Sequence, residues 1–140
     1  MTPNEALLER RFRQFVILAM CLTVVVELLG WFYVPSNELE AQLKLTDGYA
    51  ATLNGGLVLW ALVLAIRFLL LFGLIAFHPT ARVLFLAFVA VSVLLTIFFG
   101  YRISTPVEGP FLVLEQLMDG VILALAYYSP VSRSFATQAT

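Results

Sequence analysis

Four apolar runs, at about residues 15–34, 55–77, 83–101 and 111–128, occupy more than half of this 140-residue chain. Each is close to the roughly 20 residues that cross about 30 Å of hydrocarbon at about 1.5 Å per residue. In hydrocarbon a segment of that length satisfies its own backbone polar groups only as a helix. Composition points the same way: 61% of the residues are hydrophobic and 12% charged, against about half and a quarter in soluble domains. The sequence predicts an all-α integral membrane protein. The expected fold is a four-helix transmembrane bundle forming one domain over 1–140, in contact with the lipid bilayer.

The six prolines fit those boundaries. Pro35 follows the first run, Pro79 and Pro110 stand just before the third and fourth, Pro106 lies in the last loop, Pro130 follows the last run, and Pro3 is in the tail. None interrupts a run, as a helix-breaking ring would. Arg10, Arg11, Arg13, Arg82 and Arg133 fall on one side of the expected membrane, Lys44 and Arg102 on the other. The excess places both termini in the cytoplasm, in a plasma membrane or bacterial inner membrane. The first run is too long for a signal peptide, and no cleavage pattern of small residues follows it. The loop 35–54 is the only long connection. Its "SNELEAQLKL" sets Leu39 and Leu43 four apart behind a capping Asn37, which predicts a short amphipathic external helix between helices 1 and 2.

Several functions are disfavoured. A net charge of −1 offers nothing to nucleic acid. One cysteine and one histidine supply neither a disulfide nor the usual metal-ligand sets, and no metal or cofactor is expected. Dinucleotide, P-loop, nucleophile-elbow and metalloprotease patterns are missing from the sequence. With no catalytic residues to name, an enzyme is disfavoured. Cys21 lies mid-run and is expected to pack inside.

What remains are Glu27, Arg67, Glu115 and Asp119, four ionisable groups inside apolar runs. At this depth such groups normally face the bundle interior in pairs. Counting from the cytoplasmic ends at about 1.5 Å per residue puts Arg67 near ~15 Å and Asp119 near ~14 Å. The same rise puts Glu27 near ~18 Å and Glu115 near ~20 Å. Arg67 is therefore expected to pair with Asp119, with Glu27 and Glu115 about one turn further out. Glu115 and Asp119 share a helix face at i, i+4. Three acids around one arginine leave negative charge in excess, so one carboxyl, Glu27 or Glu115, is expected to hold a proton at neutral pH.

Ser92, Thr96 and Gly100 recur at four-residue spacing and mark a helix-packing face on the third helix, within the bundle or between protomers. Gly73 and Gly120 are expected to permit close packing, and His78 to cap its helix or meet headgroups. The stretch "VVVELLGW", a lone glutamate in the first of four spans, resembles the small multidrug resistance transporters over about eight residues. That resemblance implies a proton exchanged at Glu27 for a cationic substrate. The chain departs from the pattern in Arg67, in the two acids of the fourth span, in its longer outer loop and in its charge bias. The residues themselves favour a small non-enzymatic membrane protein acting by association, as a homo-oligomer or as an accessory subunit of a membrane complex. In that reading the buried arginine–carboxylate cluster fixes helix packing. The alternative is a proton- or ion-coupled transporter or channel using the same carboxylates.

Overall fold

The structure is a computed structural model that describes residues 3–32, 56–99 and 108–137. These residues are helical apart from short turns: α1 (Pro3–Phe32), α2 (Gly56–Ile75), α3 (Pro79–Phe99), α4 (Glu108–Tyr128) and α5 (Ser132–Thr137). The four long helices match the four apolar runs. Two of them, over Asn4–Leu29 and Gly109–Tyr128, are long and apolar enough to cross a membrane, while the apolar stretches of α2 and α3 are shorter. The expected external helix, and Gly100, lie outside the described residues.

Helix starts differ from expectation in one consistent way. Pro3, Pro79 and Pro110 lie within the first turns of α1, α3 and α4 rather than before them. A first-turn N–H has no intrahelical partner, so the missing donor is harmless there. Helix α1 accordingly begins twelve residues before its apolar run, and Arg10, Arg11 and Arg13 are helical rather than part of a tail.

Helix α1 packs chiefly on α4 and α2 chiefly on α3, while α1–α2 and α3–α4 contacts close the ring. Gly73 sets the α2–α3 approach: a Cβ built there would stand 2.5 Å from Ala81 Cβ, closer than two carbons tolerate. Gly120, by contrast, faces open space, so the packing role expected of it is not what the structure shows. Cys21 is likewise exposed on the outside of α1 rather than buried.

The turn between α2 and α3 takes only three residues. His78 N–H donates to Gly73 O at 2.9 Å and Phe77 N–H to Leu74 O at 3.0 Å, the paired bonds of a Schellman ending. Its left-handed position, normally glycine, is Phe77 at φ 55°. A Cβ in that conformation costs about 1–2 kcal/mol. Burial of the ring offsets it: Phe77 stacks on Phe12 with centroids 5.7 Å apart and meets Phe135 edge-on at 5.2 Å.

Phe135 belongs to α5, which the sequence reading stopped short of. After Tyr128 the chain turns at Ser129, whose hydroxyl accepts from Val131 N–H. It then lays Val131 and Phe135, four apart, into the core. Ser134 Oγ donates to Glu9 Oε1 at 2.5 Å, tying α5 to α1. The core formed by Phe12, Val16, Leu71, Leu74, Phe77, Phe85, Ile122 and Phe135 thus closes the end of the bundle where the arginines cluster.

Candidate functional site: a guanidinium shared by three helices

The largely apolar interior of this bundle holds one polar cluster, and its exterior is apolar as well. Asp119 is 6% exposed, whereas Leu69 is 70% and Leu117 62% exposed. Of the two long apolar stretches only 28% and 22% is buried, unlike the core helix of a soluble protein. Exposed Val58, Leu62, Phe72, Leu84, Val93 and Val113 continue the apolar coat over α2, α3 and α4.

At the centre lies Arg67 of α2. Its Nη1 donates to Asp119 Oδ2 and its Nη2 to Asp119 Oδ1, both at 2.9 Å. This two-pronged geometry is the strongest an arginine offers a carboxylate. Nη2 also lies 3.0 Å from Glu115 Oε1, and Nε donates to Thr23 Oγ1 at 3.1 Å. The Thr23 hydroxyl is 2.6 Å from Glu115 Oε1 and 3.1 Å from Ala19 O. Its single proton serves one of them, and the shorter contact with the charged acceptor is the stronger. Thr23 brings in α1, Arg67 α2, and Glu115 with Asp119 α4, so one guanidinium binds three helices.

The expected Arg67–Asp119 pair is therefore present. Glu115, one turn further along the same face of α4, reaches the same arginine. Glu27 sits one turn beyond Thr23 on α1, half-buried and engaged in an interaction of its own. Glu115 and Asp119 thus contact Arg67 directly. Thr23 was missed, although the depth reckoning finds it: counted from residue 15 it lies near ~12 Å, closer to the level of Asp119 than Glu27 does and as close to that of Arg67.

Of the small-residue face on α3, Ser92 is exposed and donates to Phe88 O of its own helix at 2.8 Å. It does not pack inside the described bundle. Thr96 lies in α3, with its side chain outside the described residues. His78 is exposed, its Nδ1 2.6 Å from Thr80 Oγ1. Among the described residues no group of three metal-ligating side chains comes together.

No family model matches this chain, and no curated protein or solved structure matches it either.

Proposed function

We propose that the chain is a small polytopic membrane protein in which α1–α4 all cross the bilayer, with both termini cytoplasmic in a plasma or bacterial inner membrane. It acts by association, as a homo-oligomer or accessory subunit, rather than by catalysis. The apolar exterior supports the membrane setting: large apolar side chains face outward while Asp119 is buried. The observation that carries the functional reading is the saturation of Arg67. All three of its nitrogens donate to partners on two neighbouring helices, and Nη2 also lies 3.0 Å from Glu115. A guanidinium so committed holds helices in register; it is not poised to release a partner to a passing ion. Gentle extraction at native expression level, followed by native mass measurement, tests this reading. A complex with other proteins or a homo-oligomer agrees with it, and a bare monomer refutes it.

One observation favours a second reading, proton- or ion-coupled transport. Two carboxylates meet one guanidinium, leaving a negative charge in excess at mid-depth, with Glu27 a turn away. Here Glu115→Gln abolishes proton flux into liposomes while the protein remains folded. Undiminished flux in that variant and in Glu27→Gln removes the transport reading.

A further inference from the structure

The end of the bundle closed by α5 carries five arginines, Arg10, Arg11, Arg13, Arg82 and Arg133, against two glutamates, Glu5 and Glu9. Arg133 reaches toward Glu5 at 4.0 Å, and Glu9 is taken by Ser134. Among the described residues no carboxylate pairs with Arg10, Arg11, Arg13 or Arg82. Two of these are instead fixed on aromatic faces. Arg13 Cζ lies 4.9 Å above the Phe77 ring, and Arg82 Cζ lies 4.6 Å above Tyr127 and 5.5 Å from Phe135. Because Phe77 and Phe135 touch, one aromatic floor supports both guanidiniums. A guanidinium stacked on a ring loses little freedom when it meets a planar or tetrahedral oxyanion. Exposed Arg13 is set up in this way, whereas half-buried Arg82 donates Nη1 to Ala126 O at 3.4 Å and has its Nε buried. Arg10 and Arg11 are exposed beside them.

The level of these groups identifies the partner. Exposed Phe15, Ile17 and Leu18 begin two residues after Arg13, and exposed Val83 and Leu84 follow Arg82 directly. Arg13 and Arg82 thus stand where the continuous apolar coat begins, with Leu7 and Leu8 exposed beyond it on α1, which is the level of phosphate headgroups in a bilayer. We propose that this end is a docking surface for anionic phospholipid headgroups. Exposed Arg13 is its fixed contact, Arg10 and Arg11 are its adaptable ones, and Arg82 braces the aromatic floor behind them. The inference rests on the membrane setting proposed above. It goes further by assigning a lipid class, since a basic cluster at the membrane surface gains affinity with each arginine that meets negative lipid.

The test uses the full chain reconstituted in vesicles of phosphatidylcholine, alone or with phosphatidylglycerol, then extracted gently and weighed with its retained lipid. The native chain should keep phosphatidylglycerol in preference to phosphatidylcholine. Arg10 and Arg11 are both exposed, and R10Q/R11Q should weaken that preference by about fivefold per arginine removed. Equal retention of the two lipids overturns the proposal, as does a preference that R10Q/R11Q leaves intact. Displacement of the lipid by inorganic phosphate would assign the site to free phosphate, and an acidic protein bound in the lipid's place would assign it to that protein; either also overturns it. Alkaline carbonate washing separates the two levels of failure. Release of the protein refutes the membrane setting itself, whereas firm retention without lipid preference refutes only the headgroup site.

Discussion

Replacing Arg67 with methionine should destabilise the bundle more than replacing its principal partner does. Arg67 and Asp119 are 12% and 8% exposed at their side chains, so both lie in a medium that screens poorly. Arg67→Met leaves Glu115 and Asp119 one turn apart with no cation between them. The expected cost is that of a broken buried ion pair, about 3–5 kcal/mol. Asp119→Leu is milder, because Arg67 keeps Glu115 and Thr23; the expected cost is that of charged hydrogen bonds lost, about 1.5–3 kcal/mol. Combined, Arg67→Met and Asp119→Leu should cost no more than Arg67→Met alone, since the second change removes a stranded carboxylate. The coupling is then about 2 kcal/mol. Denaturation by sodium dodecyl sulfate in mixed micelles, on the four purified proteins of the cycle, reads these differences. Strict additivity would refute the pairing, and Asp119→Leu costing more than Arg67→Met would refute the sharing of one arginine by two acids.

Three further changes probe the surroundings. Thr23→Val keeps the side chain's shape but strips Arg67 Nε and Glu115 Oε1 of their shared partner; unfolding should show a loss of about 1–3 kcal/mol, recovered in Thr23→Ser. Gly73→Ala drives a methyl group into Ala81 at 2.5 Å and should cost about 1–3 kcal/mol, with Ala81→Gly restoring stability in the double variant. Phe77→Gly releases the left-handed strain of about 1–2 kcal/mol but forfeits a buried ring worth about 3–5 kcal/mol. It should therefore lower stability in the same assay, despite placing the preferred residue at the turn.

The depth of a residue within an apolar run was the most informative quantity in the sequence. Counting from the run ends was enough to match Arg67 with Asp119, because helix rise is nearly constant and buried charge must find its opposite. The same count set Glu115 one turn further out, and it still reaches Arg67 because glutamate and arginine side chains together span a full turn. Thr23 escaped attention because the search followed formal charge, while a guanidinium has donors beyond those a carboxylate occupies. Helix α5 escaped because two apolar residues four apart beyond Pro130 fall below the length that marks a span; only the aromatic hollow left by Phe12 and Phe77 gives them a purpose. Gly73 and Gly120 read alike in sequence, yet one faces a neighbouring helix and the other faces outward, a distinction fixed by rotation about the helix axis.

Among the described residues helix α3 takes no part in the Arg67 network, and it rests mainly on α2. Of its described side chains only Ala81 and Phe85 are buried. Selection therefore reads this helix coarsely. In a saturation library, Val83, Leu84, Leu86, Val91, Val93 and Leu94 should accept almost any apolar residue, while Ala81 and Phe85 accept few. Lineages descending from this chain would be expected to drift fastest along α3 and slowest at Thr23, Arg67, Glu115 and Asp119.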